Sequence, residues 1–355
     1  KTSLVKGLIK YLQSVRIPAK LMASTGRAAK VLSVKTGLRA ETMHRYIYTM
    51  SLHEIDERTE KVIIDFRLRP NADEVQTIYF VDESSMISDQ KSLNVSLKFG
   101  SGKLLTDMLL FANGRKVVFI GDPAQLPPVN YLHSPALNPD YFVNNFSKRV
   151  RNVNLQGIQR FSSETGIGRN VKELQRHIGE LSFPYLSIRV SGSRDMHICS
   201  SEEVLARTYA GSIRRLGIDN CIMLTFSNKM ANNLNHQVRQ KLFGRNTSRV
   251  NRGELLVVIQ NNYKHSLYNG DHLEILEVSE STETVAGIVF RNVKARVLSE
   301  GAYVAFEGKV IDTLLNGDSQ NLDPKQDFEL MRDFYIRAHR LGIKKNTPDF
   351  INFML

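Results

Sequence analysis

Cysteine is almost missing: among 355 residues only Cys199 and Cys221 carry thiols. Their spacing makes neither a disulfide framework nor a metal-ligand pattern, so neither is expected to organise the fold. No apolar run approaches the ~20 residues that a membrane-spanning helix needs, and no signal-peptide pattern opens the sequence. Low-complexity segments and short-period repeats are missing as well. A reducing, cytoplasmic setting with no membrane partner is the expectation. What is present is ordinary for a globular protein, 42% hydrophobic and 24% charged residues, with length enough for more than one core.

Acidic residues are in deficit. Against 48 Lys and Arg stand 36 Asp and Glu, a formal charge of +12. A basic excess of this size suits a polyanion, because binding phosphates releases condensed counterions. A solvated basic surface would give the same composition. The basic residues are dispersed (Lys148, Arg149 and Arg151; Arg214 and Arg215; Arg337, Arg340, Lys344 and Lys345), which fits a long groove better than a tail.

Periodicity divides the chain. Leu4, Val5, Leu8, Ile9 and Leu12 recur at helical spacing, Pro18 breaks the pattern, and residues 19–23 read as a short buried strand. A helix over 26–34 follows, with Gly37 as its C-terminal cap. Two further apolar strands, 77–81 and 116–120, end in Asp-Glu and Gly-Asp. Strands alternating with helices predict an α/β domain with a parallel sheet over residues 1–150. The cycle restarts with strands at 152–155 and 220–226 and helices at 171–178, 204–216 and 228–243. That predicts a second α/β domain over 151–244 and 302–355. Between them the period becomes two, with strands at 255–260, 272–278, 285–290 and 293–298 and a turn at Asn269-Gly270. A small antiparallel barrel inserted over 245–301 is the natural reading, and the pattern after Val304 reads as helical.

Three strings carry chemistry. Ile78-Tyr79-Phe80-Val81-Asp82-Glu83 is an apolar strand ending in paired acids. In P-loop NTPases such a pair holds Mg²⁺ and orients the attacking water, although buried strands also end in merely solvated acids. Val118-Phe119-Ile120-Gly121-Asp122-Pro123-Ala124-Gln125-Leu126-Pro127-Pro128-Val129 delivers a glutamine between prolines. Its amide can donate to a γ-phosphate and accept from water, while the prolines fix the backbone so that the loop moves as a unit. Lys1-Thr2 opening a helix matches the end of Gly-x-x-x-x-Gly-Lys-[Ser/Thr]. Lysine there reaches β- and γ-phosphates, and the threonine hydroxyl ligates Mg²⁺ at the helix N-terminus.

Together with Ser24-Thr25-Gly26-Arg27-Ala28-Ala29 and Thr42-Met43-His44, these strings resemble, in order and spacing, the RecD/Dda-like branch of superfamily 1 DNA helicases. Leu155-Gln156-Gly157-Ile158-Gln159-Arg160, Thr225-Phe226-Ser227-Asn228 and Leu267-Tyr268-Asn269-Gly270-Asp271 resemble later elements of that family, so the likeness spans nearly the whole chain. The resemblance implies two RecA-like P-loop domains with an SH3-like β-barrel inserted in the second. It implies ATP and Mg²⁺ as cofactors and 5′-to-3′ movement on single-stranded DNA. Lys1, Thr2, Asp82, Glu83 and Gln125 would form the nucleotide face, with Thr2 and Asp82 on the metal. Arg160 would reach the γ-phosphate from the second domain. Ser24, Thr25 and His44 would face the DNA strand. For Thr25 and its neighbour a helix N-cap is an equally good local reading, and His44 could be a core or helix-surface histidine. Partners would be single-stranded DNA and duplex junctions in a bacterial cytoplasm or nucleoid, within or outside a larger repair or recombination complex.

The sequence departs from the family in four places. The glycine-rich loop does not precede Lys1, so this polypeptide by itself is expected to be inactive toward ATP. The late His-Lys-x-x-Gly-like element is expected beyond Leu355. Phe161 follows Arg160 where relatives carry glutamine. Residues 46–76 leave little room for a strand-separating hairpin, and 61–68 read either as one arm of it or as a sheet strand. An RNA-directed superfamily 1 motor and a nucleic-acid-binding module without turnover stay open as alternatives.

Overall fold

The computed structural model describes residues 2–56, 61–92, 97–155, 164–180, 187–244, 247–259, 267, 270–299, 302–317, 321–344, 347 and 350. Lys1, Arg160 and Asn269, all singled out above, lie outside them.

The first unit alternates helix and strand. In chain order it runs α1 (Thr2–Ser14), β1 (Ala19–Ala23), α2 (Gly26–Thr36), β2 (Ala40–Thr42), α3 (Met43–Ile47), β3 (Tyr48–Asp56), β4 (Lys61–Leu68), β5 (Ile78–Asp82), β6 (Leu97–Phe99), α4 (Leu104–Ala112), β7 (Lys116–Phe119) and α5 (Pro139–Phe146). Four strands form a parallel sheet in the order β2-β1-β5-β7, with Ala23 opposite Asp82 and Val81 opposite Phe119. Side chains alternate across a strand, so each strand feeds two cores. Leu21 and Phe80 pack with Val5, Ile9 and Leu12 of α1 and Leu32 of α2. Met22, Tyr79 and Val81 face the other way, against Ile47, Leu105, Met108, Phe111 and Phe142. Each such side chain fully withdrawn from water contributes about 1.5–3 kcal/mol. The near-continuous apolar runs of β1 and β5 are what a sheet covered on both faces requires.

Local signals fix the helices. Thr25 caps α2 by accepting from the Ala28 N–H at 3.2 Å, and Gly37 closes it in the left-handed conformation at φ 77°. A second, three-stranded sheet projects from this unit. β3 and β4 form an antiparallel hairpin and β6 adds in parallel beside β4. Residues 61–68 are thus a sheet strand, paired with β3 on one side and β6 on the other.

The second unit contains α6 (Gly166–Glu180), α7 (Glu202–Leu216) and α8 (Asn228–Phe243). Ser201 and Ser227 cap the last two, and α7 places Glu202 and Glu203 in its first turn and Arg214 and Arg215 in its last, complementing the helix dipole. The strands expected at 152–155 and 220–226 are not formed. Met223 packs toward α7 and α8, but Ile222, Leu224 and Phe226 stand 69%, 84% and 101% exposed. The sequence has the alternation of a strand, yet nothing described lies beside it to complete a hydrogen-bonded ladder. A parallel sheet in this unit is thus not among the described residues.

Then come β8 (Leu255–Val257), β9 (His272–Val285), β10 (Ile288–Ser299) and β11 (Ala302–Val310), followed by α9 (Asp312–Asn316) and α10 (Pro324–Arg340). The four strands make an antiparallel sheet in the order β11-β10-β9-β8, curled by two register shifts between β9 and β10. Two expectations are corrected here. Residues 285–290 are not one strand but contain the β9–β10 turn, where Ala286 and Gly287 take positive φ. Residues 304–310, expected to be helical, continue the sheet as β11, because Val304 and Phe306 pair with Val297 and Ala295. The helical pattern resumes at α10, opened by an Asp323–Gln326 capping box with Pro324 at its first position.

Candidate functional site

Two groups of the singled-out residues meet at the C-terminal edge of the parallel sheet, where α/β folds place their ligands. Asp82 ends β5 almost buried, and its Oδ1 accepts from the Glu83 N–H at 3.0 Å. Glu83 then takes the left-handed conformation, φ 51° and ψ 43°, uncommon for a residue with a side chain. The next residue pins this corner. Ser84 N–H donates to the Ile120 carbonyl at 2.9 Å, and its hydroxyl donates to the Val81 carbonyl at 2.7 Å. The end of β5 and the corner after β7 are therefore one hydrogen-bonded unit.

Gly121 is required at that corner. A Cβ there would lie 2.6 Å from Leu137 Cδ1 and 3.1 Å from Ser85 N. Asp122 starts a turn by accepting from Ala124 N–H at 3.0 Å through its carboxylate and from Gln125 N–H at 3.0 Å through its carbonyl. Gln125 therefore sits on the loop that leaves this corner, with its side chain open to solvent. Thr2 stands at the start of α1, whose first turn carries no acid to compete with an anion there.

The donor chemistry fits a nucleotide-bound Mg²⁺. That ion takes one or two protein oxygens and fills its octahedron with water and substrate phosphates. A carboxylate at Asp82 and an alcohol at Thr2 have the chemistry such a set would need. Among the described residues no group of three His, Cys, Asp or Glu side chains could cage a metal by itself.

The second group lines a cleft of about 690 Å³. Ser24 and Thr25, on the loop after β1, and His44, on α3, all line it. Ser24 Oγ is buried without a hydrogen-bond partner, whereas Thr25 Oγ1 is committed to capping α2. His44 packs edge-on against Phe99 with ring centroids 5.0 Å apart, and burial lowers its pKa below 6.5, so it is neutral at physiological pH. Phe66 stacks on Phe99 at 4.6 Å and 11°. Beneath them Tyr48 donates to buried Asp107 at 2.6 Å; burial foremost, then that bond, raises the phenol pKa.

Sequence reasoning missed Arg27, Arg45, Met86, Phe66, Phe99 and Gly270 as cleft residues. Arg27 lies inside a string already singled out and Arg45 next to one, so both could have been included. The Phe66–Phe99 stack depends on β4 pairing with β6, and Gly270 on the placement of the barrel sheet, neither of which leaves a local signal.

No helix among the described residues is long and apolar enough to cross a membrane. No curated protein matches the chain. A family model described as an AAA domain matches residues 1–182, the segment that carries the parallel sheet, the acidic pair and the glutamine loop. With 182 of its 355 residues inside that match, the chain belongs to the AAA domain family of P-loop NTPases, and this segment is its ATP-binding domain.

Proposed function

We propose that this P-loop NTPase is an ATP-dependent DNA helicase of the RecD/Dda-like branch of superfamily 1, moving 5′ to 3′ on single-stranded DNA. One observation carries the reading. The Ser24 N–H donates to the Asp82 carbonyl at 3.3 Å, so the cleft and the acids of the nucleotide site share a backbone hydrogen bond. A displacement at the end of β5 is felt directly at the cleft wall. The unpartnered Ser24 hydroxyl supports a ligand there that brings an oxygen acceptor, and a nucleic-acid phosphate is one. The stacked Phe66–Phe99 rings beside it offer an apolar face to a base.

In the reaction, water oxygen attacks the γ-phosphorus, the bond to the β–γ bridging oxygen breaks, and ADP leaves. Glu83 orients that water, and its fixed backbone positions the carboxylate at the sheet edge. Gln125 senses the γ-phosphate and passes the change to the loop ending in Pro127-Pro128. Lys1 neutralises the phosphates. Thr2 and Asp82 would hold Mg²⁺, which would supply charge neutralisation to the phosphates. Arg160, from a second RecA-like domain that begins at residue 151, completes the site on closure, its fork matching phosphate oxygens. Alternating grip by the two domains then advances the strand.

The experiment is unwinding of tailed duplexes by the full-length protein with ATP. Opening of a 5′-tailed DNA duplex in preference to a 3′-tailed one is expected. The reverse preference refutes the polarity, and a preference for RNA tails refutes the DNA assignment.

A further inference from the structure

One residue of the cleft belongs to the nucleotide side of the sheet. Met86 ends a short 3₁₀ turn, Ser84–Met86, that follows Glu83 directly, and it lines the cleft with Ser24, His44, Phe66 and Phe99. Its neighbours Ser84, Ser85 and Ile87 are buried, whereas Met86 stands 54% exposed. A buried turn thus holds one large apolar side chain out into a cleft. Covering that side chain with the flat face of a ligand is favourable, and an unbranched, polarisable thioether adapts well to a ring.

The turn that carries Met86 has little freedom to absorb a push. Ser84 N–H donates to the Ile120 carbonyl at 2.9 Å, and its hydroxyl donates to the Val81 carbonyl at 2.7 Å while accepting from Ile120 N–H at 3.3 Å. The Ser84 carbonyl accepts from the Ser134 hydroxyl at 3.3 Å and from Ile87 N–H at 3.2 Å. Behind the turn, a Cβ on Gly121 would lie 3.1 Å from Ser85 N, so no slack is left there. A corner packed this closely transmits strain instead of yielding locally. Its other end is Glu83, which caps the turn in the left-handed conformation. A displacement of Met86 is therefore delivered to the backbone that aims the Glu83 carboxylate.

We propose that Met86 is a positioning residue through which a base in the cleft sets Glu83, so that strand occupancy is read at the nucleotide site by a side chain. This rests on the nucleic-acid reading of the cleft. The route is distinct from the Ser24–Asp82 backbone bond, because it depends on a side chain that can be shortened without touching any backbone hydrogen bond. Coupling between two binding sites is mutual: if a strand at Met86 alters the nucleotide site, nucleotide alters the affinity for the strand by the same factor. The link is therefore visible in binding alone, without hydrolysis.

The test is the affinity of the full-length protein for a fluorescent oligo(dT), measured with and without a non-hydrolysable ATP analogue and Mg²⁺. In the wild type the two affinities are expected to differ by a factor in the range of roughly five to 150. Met86→Ala should bring that ratio to within about twofold of one, at the wild-type melting temperature, since the side chain removed is half exposed. Met86→Leu keeps the reach and the apolar surface and should restore the wild-type ratio. Weaker binding by Met86→Ala with the wild-type ratio kept overturns the proposal, because Met86 is then a strand contact and nothing more. An unchanged Met86→Ala overturns it as well, and so does a Met86→Leu that fails to restore the ratio. A wild type that binds oligo(dT) with one affinity in both conditions overturns the proposal and spares the strand-binding reading. A wild type that fails to bind oligo(dT) overturns both.

Discussion

At the scale of single residues, the corner between Asp82 and Asp122 concentrates the constraints. Glu83 is held in a left-handed conformation that its side chain disfavours, and it is over-determined by the Ser84 bonds on one side and the Asp82 carboxylate on the other. Strain kept in place in this way belongs to sites where position matters more than local comfort. Gly121 closes the corner from β7. Gly121→Ala should cost about 1–3 kcal/mol by overpacking against Leu137 and Ser85. Chemical denaturation reads that loss, and an unchanged midpoint would mean that the corner yields freely. His44 gives a pH signature. Its folded pKa lies below the unfolded value of 6.5, so below pH 6.5 the unfolded chain binds the additional proton. Stability from this residue is fully present above pH 6.5 and is lost as the pH falls toward the folded pKa. His44→Phe should flatten that part of the melting-temperature profile. A profile unchanged by the substitution would place the acid sensitivity elsewhere.

At the scale of elements, punctuation was more legible than pairing. The cap of α2 at Thr25 and its end at Gly37 were readable in the sequence, whereas the caps of α7 and α8 at Ser201 and Ser227 were not singled out there. Strands depend on neighbours that sequence does not name. Residues 220–226 have a strand's alternation but no ladder partner, whereas residues 304–310 became β11 because β10 was there to receive them. The same dependence hid half of the cleft: Ser24, Thr25 and His44 sit in recognisable strings, but Phe66 and Phe99 meet only through the β4–β6 pairing. That pairing has a buried support. Gly100 follows β6 in the left-handed region because a Cβ would strike Asp107, the carboxylate that Tyr48 of β3 donates to. Asp107 also accepts from Ser101 N–H at 3.0 Å. Tyr48→Phe removes one of its donors and should cost about 1–3 kcal/mol. Thermal unfolding reads the change; a loss of only a few tenths would show that the Ser101 bond alone suffices.

At the scale of the whole molecule, two chemistries sit on one sheet edge. Asp82 and Glu83 close β5, Ser24 leaves β1 beside it, and a single backbone bond joins them. The barrel sheet reaches over from residues 270–271 to complete the second site, which makes the cleft a property of the assembled chain. The net charge of +12 is consistent with a phosphate backbone as the occupant, with affinity falling as salt rises. The central claim is coupling: what happens at the acids must depend on what fills the cleft. The direct measurement is the ATP hydrolysis rate of the full-length protein with and without single-stranded DNA, wild type beside Glu83→Gln. Several-fold stimulation by DNA is expected in the wild type, and Glu83→Gln should lower the stimulated rate by about 10²–10⁴-fold. A wild-type rate that is the same with and without DNA would contradict the coupling.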